Sequence, residues 1–234
     1  VPDIRAVVLD IEGTTGSMSY VHEVLFPYAR ARIGEWFTAS RGTDSWHAVV
    51  AGVRTHLGSP DLDEAGVRSA LTGWSDRDVK APPLKMLQGL LWSSGYADGT
   101  LHGHVYDEVP GVLAQWSRAG IAQFIYSSGS VAAQRDWFAH TRHGDLTRRL
   151  SGFFDLETAG GKRSAASYAA ISAAIGVPAA QTLFLSDVAE ELDAAAAAGW
   201  LTTGVRRDGD HRGRVVPGHH TVSQLDAGLA VRAG

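Results

Sequence analysis

The chain reads as an α/β protein: a doubly wound, Rossmann-like parallel-sheet core with an all-helical domain inserted after the first strand. Three observations carry that reading. Short, unbroken apolar runs such as Ala6-Val7-Val8-Leu9 and Thr182-Leu183-Phe184-Leu185 suit strands buried on both faces. Beyond residue 110 such runs alternate with helical segments, the rhythm of βαβ units. Between residues 18 and 105 the apolar spacing is helical throughout, with no convincing strand. The 234 residues therefore divide into a core, 1–17 and 106–234, and a helical insertion, 18–105.

Each element follows in order. Residues 1–12 are expected to form the first strand, broken by Gly13. In the insertion, Val24-Leu25-Phe26, Ala29, Ile33 and Trp36-Phe37 fall near helical spacing, and Trp46, Val49-Val50 and Val53 continue it. Pro82-Pro83 interrupts the chain before a further helix, Leu84 to Trp92. The tryptophans of this region, Trp36, Trp46, Trp74 and Trp92, are read first as core of a small bundle and second as a substrate-facing wall. A helix from Val112 to Ala119 ends at Gly120, and Ile121 to Tyr126 is the next strand. Ser127-Ser128-Gly129-Ser130 leads into a helix from Val131 to about His140, and Phe153-Phe154 is a short strand before Gly160-Gly161-Lys162. The helix Ala165 to Ile175 stops at Gly176. Thr182 to Ser186 is a strand ending at Asp187, and a helix of about Ala189 to Ala198 stops at Gly199. Trp200 to Val205 is the expected last strand, and Arg206 to His220 reads as a surface loop.

Composition narrows the function classes. A formal net charge of -4 offers no basic field for nucleic acid. The absence of cysteine excludes disulfides, thiolate metal sites and a cysteine nucleophile. No apolar run reaches the roughly 20 residues of a membrane span, and no signal peptide is recognised, so no membrane partner and a cytoplasmic location are expected. A covered parallel sheet leaves no obvious apolar patch, which favours a monomer. Lysine is confined to Lys80, Lys85 and Lys162, against eighteen arginines, so a lysine inside a motif stands out.

Ligands of doubly wound sheets sit at the carboxyl ends of the strands, and four motifs fall there. Asp10 and Glu12 close the first strand; if strand geometry persists through them, both carboxylates point to one side. One could then attack or bind metal while the other moves protons; the plain alternative is two acids capping a loop. Ser127, Ser128 and Gly129 offer hydroxyls and, with the start of the next helix, N–H groups for an anion, while Ser130 suits the helix cap. Gly160-Gly161-Lys162 is not a P-loop, since Leu156 and Arg163 stand where that motif needs Gly and Ser or Thr. Lys162 instead presents one compact charge near a helix start, unless it is simply a solvated surface lysine. Asp187 suits Mg²⁺, with Glu191 in a supporting or water-mediated position and Glu190 facing solvent; an acidic cluster favoured by the helix dipole is the alternative. Neither His102 and His104 nor His219-His220 has H-x-x-x-H spacing, and no G-x-S-x-G elbow exists for serine hydrolysis.

With the four motifs in order, the chain resembles the haloacid dehalogenase superfamily of aspartyl-phosphate phosphatases along nearly its whole length. The generic pattern there is D-x-D, whereas this chain has Asp10-Ile11-Glu12-Gly13-Thr14-Thr15. That form is similar to one branch, whose members enolise and then hydrolyse a diketone phosphate in methionine salvage. Val24-Leu25-Phe26-Pro27-Tyr28, Leu87-Gln88-Gly89, Tyr126-Ser127-Ser128-Gly129-Ser130-Val131 and Phe184-Leu185-Ser186-Asp187-Val188 also look like that branch. Gly16 and Leu90 depart from it, standing where a threonine and a histidine are common. The resemblance implies a small phosphate ester as substrate and Mg²⁺ as cofactor. It makes Asp10 the nucleophile and a metal ligand, Glu12 the proton carrier and, through its carbonyl, a ligand, and Asp187 the third ligand. Ser127, Ser128, Gly129 and Lys162 would hold substrate, Lys162 also neutralising phosphate and Asp10, and region 18–105 would be a cap over the site. A different small-molecule phosphatase or a silent phosphate-binding scaffold are the competing readings. A scaffold needs none of Asp10, Glu12, Lys162 and Asp187 at strand ends.

Overall fold

A computed structural model describes residues 3–229 of the chain. They form two compact units: one runs up to Met18 and resumes at His102, the other is Ser19–Leu101. The sequence division at 105/106 thus differs by four residues from the structural one. Residues 102–105 group with the first unit because Gly103 N–H donates to the His140 carbonyl at 2.9 Å and His104 Nδ1 accepts from Ser17 N–H at 3.0 Å.

The first unit is built on one parallel sheet. Its strands are β1 (Ala6–Leu9), β2 (Ala122–Tyr126), β3 (Gly152–Phe154), β4 (Thr182–Ser186), β5 (Leu201–Val205) and β6 (Thr221–Val222), in spatial order β3-β2-β1-β4-β5-β6. β1 lies between β2 and β4, with Leu9 opposite Ile125 on one side and Leu185 on the other. β2 and β3 build out one side of β1, and β4, β5 and β6 the other, so the crevice at its carboxyl end is the switch point where such sheets bind ligands. Every residue of β1 and β4 is buried, as their unbroken apolar runs require. On one face Ala6, Val8, Tyr126 and Phe184 pack with Tyr168 and Trp200, and the Tyr168 ring meets Tyr126, Phe184 and Trp200 edge-on at 5.2–5.6 Å.

Helices α6 (Val109–Arg118), α7 (Val131–Ala139), α8 (Ala165–Ile175) and α9 (Ala189–Ala197) connect the strands. α8 matches expectation and stops at Gly176, whose φ of 67° is the left-handed C-cap geometry. α6 begins earlier than expected because Pro110 occupies its first turn, where no N–H is needed. Two expectations are corrected. Among the described residues the first strand is Ala6–Leu9 and does not run on to 12, because the chain turns directly after Asp10; residues 1 and 2 of the expected strand lie outside the described residues. β5 is not the last strand: β6 pairs with it, Gly204 opposite Thr221 and Val205 opposite Val222.

The second unit is helical: α1 (Met18–Tyr20, its first residue in the other unit), a π-helical turn (Val21–Leu25), α2 (Phe26–Ala39), α3 (Asp44–Leu57), α4 (Glu64–Asp76) and α5 (Pro82–Ala97). Ala29, Ile33 and Phe37, four apart, face Val49, Val53, Val67, Leu71 and Leu87 in one core. Thr43 and Asp63 cap α3 and α4, accepting from Trp46 N–H at 3.2 Å and Gly66 N–H at 2.7 Å. Pro82 and Pro83 open α5 rather than breaking the chain before it. Trp74 is buried and Trp36, Trp46 and Trp92 pack against the same cluster, the core role read first for them. Leu90 packs there as well. Among the described residues, no helix is long and apolar enough to cross a membrane.

Candidate active site

The loop after β1 places the first two acids. Asp10 N–H still pairs with the Leu185 carbonyl at 3.0 Å, but Ile11 carbonyl then accepts from Thr14, Thr15 and Gly16 N–H at 2.8–3.1 Å. Three amides converging on one oxygen wind the chain into a tight turn. Strand geometry does not persist, so the same-side argument for Asp10 and Glu12 is replaced by the turn; their proximity survives as a repulsion that helps raise the Asp10 pKa. Gly13 is at φ 74°, and a Cβ there would lie 2.3 Å from Asp187 Oδ2. Only glycine lets the two motifs approach this closely. Gly16 has its own reason: a Cβ would lie 2.6 Å from the His104 carbonyl oxygen and 2.8 Å from the Trp137 ring.

Lys162 arrives from the loop between β3 and α8 and is 8% exposed, so the solvated-lysine alternative does not hold. Its Nζ lies 2.6 Å from Asp10 Oδ1 and 2.6 Å from Glu191 Oε2. Tyr168 hydroxyl donates to the Lys162 carbonyl at 2.7 Å, and the ammonium lies 5.7 Å from the Tyr126 ring centre and 5.9 Å from that of Phe184. Glu191 also accepts from Ser186 hydroxyl at 2.8 Å. Burial pushes the Asp10 carboxyl up to about 6 and outweighs the lowering by Lys162; Glu191 adds to the rise. Lys162 itself is held well above the usual lysine value, because two carboxylates more than offset its own burial.

Asp187, directly after β4, is 1% exposed. Its Oδ2 accepts from Arg212 Nη2 at 2.5 Å, whereas its Oδ1 has no hydrogen-bond partner among the described residues. Burial, then the charge on Asp10, raises its pKa to about 6. Arg212 is held in turn by Asp210, at 2.6 and 3.0 Å, and these contacts lower the Asp210 pKa to about 2. Glu190 is exposed, as expected.

The loop after β2 has Ser127 buried and Ser128 exposed. Gly129 N–H donates to the Ser127 hydroxyl at 3.3 Å, and Ser130 caps α7 by accepting from Ala133 N–H at 3.3 Å. The expectation of free N–H groups at this helix start is corrected, because Asp155 Oδ2 accepts from Val131 N–H at 2.9 Å. Gln134 donates to the carbonyls of Gly129 at 2.7 Å and Phe154 at 2.8 Å, tying this loop to the end of β3.

Asp10, Ser127 and Asp187 therefore follow β1, β2 and β4 at one end of the sheet, with Lys162 bonded to Asp10. A buried carboxylate paired to a lysine, beside a second carboxylate with an unpartnered oxygen, suits nucleophilic phosphoryl transfer. A haloacid dehalogenase-like hydrolase model matches residues 4–199. An enolase-phosphatase E1 of Streptomyces avermitilis is 48% identical over 98% of this chain and 96% of its own length. The chain belongs to the enolase-phosphatase E1 family of haloacid dehalogenase-like hydrolases. The E1 of Pseudomonas aeruginosa is 46% identical over 99% of this chain and 91% of its own. Among solved structures, the UTR4 protein of Saccharomyces cerevisiae matches with a TM-score of 0.79 and 31% identity, covering 95% of this chain and 99% of that one. The chain is thus a phosphatase of this family.

Sequence reasoning missed several residues around the site. Arg206, Arg207 and Val216 are buried although 206–220 reads as a surface loop. Arg206 Nη1 donates to the Asp187 carbonyl at 2.9 Å, and Arg207 Nε to the Thr14 carbonyl at 3.0 Å. The available signal was positional: both follow an apolar strand at the sheet end that carries the other motifs.

Proposed function

We propose that the chain is a Mg²⁺-dependent enolase-phosphatase acting on 2,3-diketo-5-methylthiopentyl 1-phosphate, giving acireductone and phosphate through an aspartyl-phosphate on Asp10. The supporting observation is the ion-paired row of buried Asp10, buried Lys162 and partly buried Glu191, with buried Asp187 nearby. Asp10, the Glu12 carbonyl and Asp187 would hold Mg²⁺. These are hard oxygen donors, and the buried Asp187 Oδ1, without a hydrogen-bond partner among the described residues, suits such a cation. No group of three His, Cys, Asp or Glu side chains that could hold a metal occurs among the described residues. When bound, Mg²⁺ neutralises charge on the transferring phosphoryl group.

The chain's own residues do the rest. Ser127 and Ser128 hold phosphate or the diketone oxygens. Lys162 keeps Asp10 ionised against its burial and faces the charge that builds on the phosphoryl oxygens. After enolisation, an Asp10 oxygen bonds to phosphorus as the bond to the substrate oxygen breaks, and Glu12 protonates the departing oxygen. Water then attacks phosphorus, Glu12 takes its proton, and Asp10 is released with inorganic phosphate. We read the inserted helical unit 19–101 as the counterpart of the family's cap domain. We read the protein as a cytoplasmic monomer. The deciding experiment incubates the protein with Mg²⁺ and the diketone phosphate and follows enol absorbance and phosphate separately. Enol formation followed by phosphate release is expected; phosphate release without any enol signal would remove the enolase half.

A further inference from the structure

The turn that carries Asp10 and Glu12 uses its inward oxygen, the Ile11 carbonyl, to gather three of its own amides. Its outward carbonyls must find donors elsewhere. Thr15 carbonyl accepts from Tyr106 N–H at 3.0 Å. Thr14 carbonyl accepts from Arg207 Nε at 3.0 Å and, by a shorter contact, from Nη2 of the same guanidinium. The third nitrogen, Nη1, donates to Glu108 Oε1 at 2.6 Å and to the Ser223 carbonyl at 3.3 Å. The guanidinium carbon lies 3.8 Å from the centre of the Tyr106 ring, and the residue is 8% exposed. Every nitrogen of this buried cation is therefore used. One edge grips the nucleophile turn; the other is anchored on the start of α6 and the end of β6.

Arg206, the residue before it, points the other way, as alternation along an extended segment requires, and donates to the Asp187 carbonyl. Two consecutive arginines thus brace the backbones behind the two acids of the site.

We propose that Arg207 is a positioning residue for phosphoryl transfer, acting through the Thr14 carbonyl to hold the 10–16 turn in its reactive shape. The contacts that hold it, to Thr14, Glu108, Ser223 and Tyr106, are with none of the groups assigned to the reaction. Lysine cannot replace it: a compact ammonium cannot grip one carbonyl with two N–H groups, pair with Glu108 and stack on Tyr106 together. Without the grip, Thr14 carbonyl is left buried and underbonded, and the turn relaxes at the residue that attacks phosphorus. A displacement near 1 Å there costs about 100-fold in rate.

The inference rests on the aspartyl-phosphate reading, so its test has one arm independent of turnover. Arg207→Lys keeps the positive charge beside Glu108 and is compared with the wild-type protein. In metal-free protein, amide hydrogen exchange at residues 14–16 is expected to accelerate at least about 10-fold, while the amides of β1 and β4 stay within about 2-fold. With substrate, kcat is expected to fall roughly 30- to 100-fold with KM within about 3-fold. Unchanged exchange at 14–16 overturns the proposal, whatever kcat does. Equal acceleration throughout β1 and β4 overturns it too, since Arg207 would then be a general support of the fold. Faster exchange with wild-type kcat overturns the catalytic half. If wild-type protein releases no phosphate from any ester, the aspartyl-phosphate reading fails, and the exchange arm still decides whether Arg207 holds the turn.

Discussion

Replacing Lys162 with methionine removes the central charge from a largely buried row of three while nearly preserving volume. At 2.6 Å and an effective dielectric near 20, each of its two ion contacts is worth roughly 6 kcal/mol before desolvation. Desolvating the ions cancels most of that, so the intact row contributes little net stability. Removing the cation alone is different, because buried Asp10 and partly buried Glu191 are left facing each other with no cation between them. A loss of about 3–5 kcal/mol is expected at pH 7.5. The loss should depend on pH. Lys162 lowers the Asp10 pKa, so in the variant that carboxyl titrates above its wild-type value of about 6 and accepts a proton easily at pH 5.5. At 1.36 kcal/mol per unit, the penalty should shrink by about 2 kcal/mol between pH 7.5 and pH 5.5. Urea unfolding of both metal-free proteins at the two pH values measures this. A loss below about 1 kcal/mol at pH 7.5, or an equal loss at both, would refute the buried-row account.

Four further outcomes are expected. Asp10→Asn should abolish phosphate release with little change in melting temperature, read by phosphate assay and thermal unfolding; normal turnover would sink the aspartyl-phosphate route. Glu12→Gln should retain substrate binding and slow turnover by roughly 10²–10⁴-fold, and a wild-type rate would leave Glu12 a structural acid. Gly13→Ala places a Cβ 2.3 Å from Asp187 Oδ2 at φ 74°, so it should cost more than about 1 kcal/mol and weaken Mg²⁺ binding in calorimetry; unchanged affinity would separate this glycine from the metal site. The last concerns pH. Asp10 and Asp187 both stand at about 6, above their ordinary value of 3.8. The folded state therefore binds protons more tightly than the unfolded one between about 4 and 6. Their contribution is most favourable below that window and is lost as pH rises through it, so Mg²⁺ should stabilise the protein more at pH 7.5 than at pH 5. Equal Mg²⁺-induced shifts in melting temperature at the two values would contradict this.

The amino-acid sequence by itself determined the parallel sheet, the helical insertion and the strand ends where chemistry collects. Those properties rest on local signals: unbroken apolar runs in Ala6–Leu9 and Thr182–Ser186, helical spacing from Ala29 to Phe37, and stops such as Gly176. Asp10, Lys162 and Asp187 were legible because an acid or a rare lysine at the end of an apolar strand or beside loop glycines is unusual on one line of sequence. Tertiary structure alone decided what each of them touches. Glu191 meets Lys162 because α9 packs back across the end of β4, and Asp155 takes the Val131 N–H because β3 lies beside β2. Arg206 and Arg207 looked like the start of a solvated loop, since charge and Gly-rich surroundings are what exposed loops have. They are buried because their partners, the carbonyls of Asp187 and Thr14, 19 and 193 residues away in sequence, are brought to them at the ends of β4 and β1 in the same sheet. A backbone carbonyl carries no side-chain signature, so an arginine that serves one is invisible until the sheet is assembled.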